Sequence, residues 1–246
     1  TKLNHNNKYK KKITKDLMYF IGLLAGDGHL RYNYKDNHVS TIHFSNSDKE
    51  VIKKYKDLTK KLFEIEDIKY DGKYEYLFSS SPIGNLLKNL GMPIRNKAKT
   101  LTVPSYLIGL PKEYIAAYLK GLFDTDGHVH LVPSGMQVSY YTASRQMLNG
   151  VKFLLLRLGI QSTFRYKKDG TYELTISDKD SLNLFRSKIN FIHKKRNENL
   201  EKSITTKYTK PVYNRTPLKE FFNKIRKKNN LTYRDLIKKG LNPTVD

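Results

Sequence analysis

The chain lacks cysteine, long apolar runs and a balancing number of acids. With no cysteine among its 246 residues, disulfides, thiolate zinc sites and cysteine nucleophiles are excluded, which leaves carboxylates and histidines as candidate metal ligands. No apolar run reaches the roughly 18 residues that a membrane span needs, and no signal-peptide pattern opens the lysine-rich start. We therefore expect an intracellular protein of the cytoplasm or an organelle matrix, neither membrane-spanning nor secreted.

Acidic residues are few beside the basic ones. The 46 Lys and Arg residues against 23 Asp and Glu residues give a net charge of +23. This surplus exceeds what solubility requires and predicts a polyanionic partner. Nucleic acid is the first candidate for that partner, and an anionic membrane surface is the second.

Two stretches of the chain resemble each other, YFIGLLAGDGHL at residues 19–30 and YLKGLFDTDGHV at residues 118–129. Each reads as an apolar helix that runs into an acid and a glycine, and the glycine is expected to end the helix. Small residues spaced four apart, Gly22 with Gly26 and Gly121 with Thr125, form a stripe on each helix. Because only small side chains let two helix axes approach closely, the stripes predict helices packed backbone to backbone.

The same packing would bring Asp27 and Asp126 side by side where the two helices end. Two adjacent carboxylates repel each other and raise a pKa unless a cation neutralises them. The convergence therefore predicts a hard divalent metal held by oxygen ligands. The alternative is that the acids only cap or turn the chain, which suits one such motif better than two matched copies.

The remainder of each half is repeated as well. The strings DGKYE at Asp71 and DGTYE at Asp169 lie 98 positions apart, while Asp27 and Asp126 lie 99 apart, so one shift relates the hairpins and the acids. Hydrophobic periodicity predicts helix, two strands, helix, two strands and helix in each half, with a two-residue turn at each DG. The expected fold is α+β, built from two αββαββα repeats related by a pseudo-twofold axis.

The predicted segments are a basic arm at 1–12, a first repeat at 13–95, a linker at 96–112, a second repeat at 113–200 and a basic helical extension at 201–246. In the extension, LKEFFNKIRKKNNLTYRDLIKKG resembles the opening of a helix-turn-helix, with helices at Pro217–Lys228 and Thr232–Lys239. It stops before a third helix. Both a DNA-reading module and a basic docking appendage remain open for this extension.

The string LKGLFDTDG in the second motif resembles the signature of the LAGLIDADG homing endonucleases, and FIGLLAGDG in the first is a looser match. Two copies in one chain resemble the monomeric, pseudo-symmetric branch of that family, over roughly Asp16 to Leu200. The resemblance implies two curved antiparallel sheets that form a saddle on double-stranded DNA. It also implies cleavage of both strands with Mg²⁺ or Mn²⁺, leaving 3′ overhangs, by a protein encoded in an intron or an intein.

The resemblance assigns residues to the metal site. Asp27 and Asp126 would be the catalytic metal ligands, one acid serving each DNA strand, and the carbonyl groups of Gly26 and Thr125 would complete the ligand shell. Phosphodiester hydrolysis needs an activated water and charge stabilisation at phosphorus, which paired metal ions provide.

Family members also place a basic residue in each half near the scissile phosphate. In the intein-like branch this residue follows the last helix of the repeat, which points to Lys97 in RNKAK and Lys195 in IHKKRNENL. Lys194 and Arg196 are alternatives to Lys195. For any of these basic residues, a simple phosphate contact is the competing interpretation.

Polar faces of the strands carry the side chains that major-groove readout uses, namely Arg and Lys for guanine and phosphate, and Asn and Gln for adenine. The candidate DNA contacts are Arg31, Asn33, Lys35, Lys73, Gln137, Ser139, Arg165 and Lys167. Each could instead face only water or phosphate. His29 and His128 follow the two DG pairs, which suggests a role as metal ligands. We interpret them instead as contacts with DNA or solvent at the start of a strand, because hard ions prefer oxygen ligands.

Three classes of function are compatible with these patterns. A site-specific DNA endonuclease is the leading one, and an intron maturase that binds intron RNA on the same scaffold is the second. A non-catalytic DNA-binding regulator derived from the family is the third, and the presence of both Asp27 and Asp126 argues against it. Splicing by this chain is not expected, because it has no cysteine.

Overall fold

Helices and strands follow one another in the same order in both halves of the chain. In the first half they are α1 (Lys15–Asp27), β1 (Gly28–Asn33), β2 (His38–Ser45), α2 (Lys49–Phe63), β3 (Lys69–Tyr70), β4 (Glu75–Ser79) and α3 (Ser81–Asn89). A short helix α4 (Lys97–Thr100) and a 3-10 turn (Ser105–Gly109) lead to the second half. There they are α5 (Lys112–Asp126), β5 (Gly127–Val132), β6 (Gly135–Thr142), α6 (Arg145–Arg157), β7 (Thr163–Tyr166), β8 (Tyr172–Ile176), α7 (Lys179–Lys188) and α8 (Lys194–Thr205). The predicted αββαββα repeat is confirmed.

The computed structural model describes residues 13–132 and 135–205 and the single positions 228, 229, 232 and 235. The chain divides into two compact units, residues 1–210 and residues 211–246. The predicted basic arm and almost all of the two predicted C-terminal helices lie outside the described residues. No helix in the described part of the chain is both long and apolar enough to cross a bilayer.

One local feature of the second unit is described. The backbone amide of Thr232 donates to the Asp235 carboxylate at 2.7 Å, and the amide of Asp235 donates to Thr232 Oγ1 at 3.2 Å. Such a reciprocal exchange is the pattern with which helices commonly begin.

Each half contains one four-stranded antiparallel sheet, with strand orders β1-β2-β4-β3 and β5-β6-β8-β7. The first strand of each sheet begins at the glycine of the repeated motif, where Gly28 pairs with Phe44 and Gly127 pairs with Tyr140. Alternate apolar residues such as Ile42 and Phe44 on β2 are buried in the core, and the residues between them belong to the opposite sheet face. The equivalent pairings show that the two sheets share one register relative to the motif helices.

The two motif helices, α1 and α5, pack with their backbones in contact. A Cβ built on Gly121 would lie 2.6 Å from the nitrogen of Leu23 and 2.9 Å from the carbonyl carbon of Gly22. A Cβ on Gly22 would lie 3.1 Å from the Cα of Gly121. Neither position has room for a side chain, which is the arrangement that the stripes of small residues predict.

Both hairpin loops are one residue longer than predicted. In the first, the Asp71 amide donates to the Glu75 carbonyl at 3.1 Å, and in the second the Lys167 amide donates to the Thr171 carbonyl at 2.8 Å. Each bond encloses three residues, the last of which is left-handed: Tyr74 with φ 66° and Gly170 with φ 83°. A three-residue loop that ends in this conformation is a common hairpin connection, so the two-residue prediction was wrong.

Candidate active site

The repeated acids, Asp27 and Asp126, are the last residues of α1 and α5. The residue that follows Asp27 must be a glycine because it has no space for a side chain: a Cβ on Gly28 would lie 2.7 Å from the Cα of Leu24. The backbone of Gly28 is extended, with φ −96°, so α1 ends without the left-handed conformation that is typical of a glycine cap. In each half, the chain passes directly from the acid into a strand.

The two carboxylates influence each other across the helix pair. Burial raises the pKa of Asp126, and the neighbouring charge of Asp27 raises it further, to about 7. Burial also raises the pKa of Asp27, against the opposing effects of Asn46, Lys97 and Arg196. The structure thus brings the acids together as predicted from the motif, in a site where burial is the main cause of the raised pKa of both.

Lys97, the first residue of α4, lies close enough to both acids to interact with their charges. Its Nζ donates to the carbonyl oxygen of Gly28 at 2.7 Å and also to the carbonyl oxygen of Gly26. Burial lowers the pKa of Lys97 to about 8, although Asp126 and Asp27 both raise it. An ammonium group is thereby held at the acid pair by the linker that joins the two halves.

In the second half, Arg196 rather than Lys195 approaches the site. The Arg196 guanidinium donates to the carbonyl oxygen of Asp124 at 3.0 Å, and its charge lowers the pKa of Asp27. Lys195 is exposed. The reason is helical phase, because residues four apart share a face and Leu200, four positions after Arg196, is fully buried.

Asn46 is a site residue that the sequence reasoning did not select. Its Nδ2 donates to Asp27 Oδ2 at 2.5 Å, which lowers the pKa of that carboxyl, and its Oδ1 accepts from the Asp48 amide at 2.7 Å. The strand registers place Thr142 at the equivalent position of the second half, where its Oγ1 accepts from the Ser144 amide at 3.1 Å. Only the first acid has this side-chain donor among the described residues.

Asp124, two residues before Asp126 on α5, belongs to a second buried network. Tyr19 Oη donates to its Oδ2 at 2.5 Å, and the Ile192 amide donates to its Oδ1 at 2.7 Å. Asp124 thus ties α1 and the segment before α8 to α5, which fits a structural role.

The candidate DNA contacts divide into exposed and occupied side chains. Arg31, Lys35 and Lys73 are exposed, although Lys35 lies in the turn after β1 rather than in the strand. Asn33 donates to Asp36 Oδ2 at 2.6 Å and closes that turn. These residues remain predicted contacts.

In the second sheet, Gln137 is half-buried on β6 and Lys167 is half-buried beside the ring of Tyr141. Arg165 is exposed but ion-paired, with its Nε 2.5 Å from Glu173 Oε2. Ser139 is fully buried, and its hydroxyl donates to the same glutamate, to Glu173 Oε1.

The contribution of Asp126 to the stability of the metal-free protein should be lost as the pH rises. A carboxyl whose folded pKa is raised contributes stability that is present below the ordinary value of about 3.9 and lost as the pH passes through the folded value, here about 7 for Asp126. We expect Asp126→Asn to raise the Tm of the metal-free protein at about pH 8 and to change it little below about pH 3.9. Thermal melts in chelator at both pH values test this, and a lower Tm for the variant at the higher pH would contradict it.

Together, the fold and the paired acids define a duplicated α+β protein whose halves share one carboxylate centre. A family model described as a LAGLIDADG-like domain matches residues 14–95 and again residues 113–190. The chain therefore belongs to the LAGLIDADG family, with one copy of the domain in each half.

Solved structures with a similar fold include the homing endonuclease I-DmoI in complex with DNA and Mn, at a TM-score of 0.55 and 22% identity, over 72% of this chain and 96% of that one. The homing endonuclease I-WcaI bound to its DNA recognition sequence has a TM-score of 0.56 and 16% identity, over 80% of this chain and 94% of that one. Full-length DUF199/WhiA from Thermatoga maritima has a TM-score of 0.53 and 16% identity, over 90% of this chain and 71% of that one. At these identities the likeness concerns the fold alone.

Curated relatives carry names from unrelated processes. A probable translation initiation factor IF-2 from Methanocaldococcus jannaschii is 33% identical over 82% of this chain and 17% of the relative. A glutamine–fructose-6-phosphate aminotransferase from the same organism is 30% identical over 79% of this chain and 18% of the relative. A probable translation initiation factor IF-2 from Thermococcus kodakarensis is 35% identical over 76% of this chain and 15% of the relative. The chain spans less than a fifth of the length of each.

Proposed function

We propose that this chain is a site-specific homing endonuclease that breaks both strands of a long DNA target by metal-dependent phosphodiester hydrolysis, leaving 3′ overhangs. The observation that carries the proposal is the pair of acids, Asp27 and Asp126, held at the ends of two tightly packed helices with Lys97 between them. A net charge of +23 supports double-stranded DNA as the partner.

The donor set fits a hard divalent ion. Asp27 and Asp126 offer carboxylate oxygens, and Gly26 and Thr125 offer backbone carbonyl oxygens at the same helix ends, which are the ligands that Mg²⁺ and Mn²⁺ prefer. Burial is the main cause of the raised pKa of both acids, and the charge of Asp27 raises that of Asp126 further, so a bound cation would favour their ionised forms. When bound, such ions would supply charge stabilisation and a more acidic water for hydrolysis. Relatives of the same fold have been crystallised with DNA and Mn or Mg.

The remaining site residues act as positioning and charged groups. Asn46 holds the Asp27 carboxylate in one orientation through its 2.5 Å hydrogen bond. Lys97 and Arg196 would each place a cation near one scissile phosphate, where negative charge develops during hydrolysis. With a pKa of about 8, Lys97 can also exchange a proton near neutral pH.

The strand faces would hold the duplex in register. Arg31 is exposed on β1 and Lys73 is exposed in the loop between β3 and β4, and a two-stranded ribbon fits the major groove. Because both halves are present in one chain, one monomer supplies an acid for each strand. The strong basic surplus then predicts a steep salt dependence.

Affinity for a duplex should fall steeply with salt. Neutralising Z phosphates gives a slope of about −0.9Z in log K against log salt concentration, so a long footprint predicts a steep line. Fluorescence anisotropy with a labelled duplex in increasing KCl measures this slope. A nearly flat line would be incompatible with a long DNA footprint.

The curated relatives favour a mobile module as the origin of this chain. A segment that recurs in an initiation factor and an aminotransferase, as less than a fifth of each, contributes something other than the named activity of either. We infer that the segment spreads by insertion into host genes, as an intein or an intron product, and that it acts inside the cell.

Cleavage selection from a randomised duplex library with Mg²⁺ tests the proposal and identifies the target. Recovery of one enriched sequence with 3′ overhangs is expected. Enrichment of bound but uncut duplexes with Mg²⁺ and Mn²⁺ would favour a non-catalytic regulator, and higher affinity for an intron RNA than for the uninterrupted DNA site would favour a maturase.

Arg196 and its neighbour Lys195 form a matched test of the second basic group. Loss of one stabilising donor at a developing charge costs on the order of a hundredfold in rate, so Arg196→Ala should slow cleavage by about this factor, while the exposed Lys195→Ala should not. Single-turnover cleavage rates measure this effect. Because Arg196 also bonds a carbonyl oxygen of α5, melting temperatures and the Arg196→Lys variant separate a lost charge from a lost support. Equal rates for the two alanine variants would refute the assignment.

A further inference from the structure

Three potential metal ligands outside the acid pair meet on the face of the first sheet. His29 on β1 and His43 on β2 are cross-strand partners, and their rings stack with centroids 4.2 Å apart and planes within 19°. Both present Nδ1 to the same oxygen of Glu75 on β4, His43 at 3.2 Å and His29 at 3.8 Å. The three side chains thus converge on one point from three strands.

His43 is the observation that requires an explanation. The residue is 8% exposed, and neither of its ring nitrogens has a partner with hydrogen-bond geometry, despite the short distance to Glu75. A buried polar group left without such a bond costs free energy. Alternation along β1 and β2 places His29 and His43 on the face that carries Arg31, opposite the buried Leu30 and Phe44.

The distances suit a common ion. Zinc bonds to imidazole nitrogen and carboxylate oxygen are about 2.0–2.2 Å long, which places neighbouring ligand atoms of a tetrahedron roughly 3.3–3.6 Å apart. In the metal-free protein the three ligand atoms already lie within 4.8 Å of one another. Small side-chain rotations would complete the geometry, and the half-exposed ring of His29 leaves a route from solvent.

We propose that His29, His43 and Glu75 form a second metal site, separate from the acid pair, that takes a borderline transition-metal ion such as Zn²⁺, Co²⁺ or Ni²⁺. Imidazole ligands select these ions over Mg²⁺, which prefers oxygen. Two histidines and one carboxylate leave a coordination position open to water or to a ligand atom from outside. A bound ion adds two positive charges to the face on which Arg31 lies.

The second half of the chain provides an internal comparison. The equivalent strand positions hold His128, Ser139 and Glu173, so one histidine is replaced by serine. The glutamate there is already occupied, because Arg165 Nε lies 2.5 Å from Glu173 Oε2 and Tyr141 Oη donates to Oε1 at 2.7 Å. Among the described residues of that sheet the group is therefore not repeated, and His128 is a matched control.

Cobalt titration of the full chain, without an affinity tag, tests the site in excess Mg²⁺. Visible absorption of Co²⁺ reports imidazole coordination, and calorimetry with Zn²⁺ gives affinity and stoichiometry. We expect one equivalent to bind in the parent, in Asp27→Asn and in His128→Ala. Binding should weaken by about tenfold or more in His43→Ala and in Glu75→Gln, since even outer-shell changes cost about 10- to 100-fold.

Because His43 is buried, its replacement is checked by melting temperature, and His29→Ala provides a half-exposed variant with less risk to folding. No Co²⁺ or Zn²⁺ binding by the parent would overturn the proposal. So would binding that survives all three ligand substitutions, or binding that Asp27→Asn abolishes, since the ion would then lie at the acid pair.

Discussion

Asp27→Asn and Asp126→Asn are each expected to abolish double-strand cleavage while leaving affinity for the target nearly unchanged. Both carboxylates are half-buried at helix ends, whereas proposed DNA contacts such as Arg31 lie on an exposed strand face. The substitutions should therefore change recognition of the DNA bases little. An amide keeps the shape of the side chain but is a neutral and weaker ligand for a hard divalent ion. Since each acid serves one DNA strand in the proposed site, the loss of either should prevent the break.

A supercoiled plasmid that carries the selected target measures the effect, because nicked and linear products migrate differently. Asp57→Asn is the matched control, since it removes the same charge from an exposed position on α2 and should cut like the parent. Either active-site variant that linearises the plasmid at close to the parental rate would show that the two-acid site is wrong. Equal loss of duplex affinity and of cleavage would instead assign the acids to binding.

The acid pair could be predicted because its determinants are local. Small residues four apart report how closely two helices can pack, and an acid at the end of each helix then has only one place to lie. Lys97 follows from the family resemblance rather than from periodicity, since many lysines surround it in the sequence. The structure shows why this one is distinctive: its ammonium group is bonded to the carbonyl oxygens of Gly26 and Gly28.

The roles of Asn46 and Arg196 depend on tertiary placement, which local sequence patterns do not specify. Asn46 follows the second strand, and nothing in its neighbours indicates that it bends back to Asp27. The choice between Lys195 and Arg196 depends on the phase of α8, which the polar sequence KKRNEN barely reports. Ser139 is a further case of tertiary placement, since strand alternation places it on the polar face and only the structure shows that it is buried beside Glu173.

Gly121→Leu is expected to impair cleavage more severely than DNA binding, even at temperatures where the variant stays folded. A Cβ at this position would already lie 2.6 Å from the backbone nitrogen of Leu23, so a leucine must push α1 away from α5. Overpacking of this kind costs about 1–3 kcal/mol, occasionally more. Spreading the helices also separates Asp27 from Asp126, and a displacement of about 1 Å in a reacting geometry can cost on the order of a hundredfold in rate.

The competing interpretation is that Gly121 is an ordinary helix glycine, for which Gly→Ala would stabilise the protein by up to about 1 kcal/mol. The contacts of Gly121 predict the opposite sign, because the added methyl group meets backbone atoms that cannot rotate away. Gly109 supplies the control, since a Cβ there would meet nothing within 4 Å and its alanine and leucine variants should melt and cut like the parent. Thermal melts, anisotropy and single-turnover cleavage on the four variants separate the cases. A Gly121→Leu protein as stable and as active as Gly109→Leu would mean that the helices do not need this close approach to align the two acids.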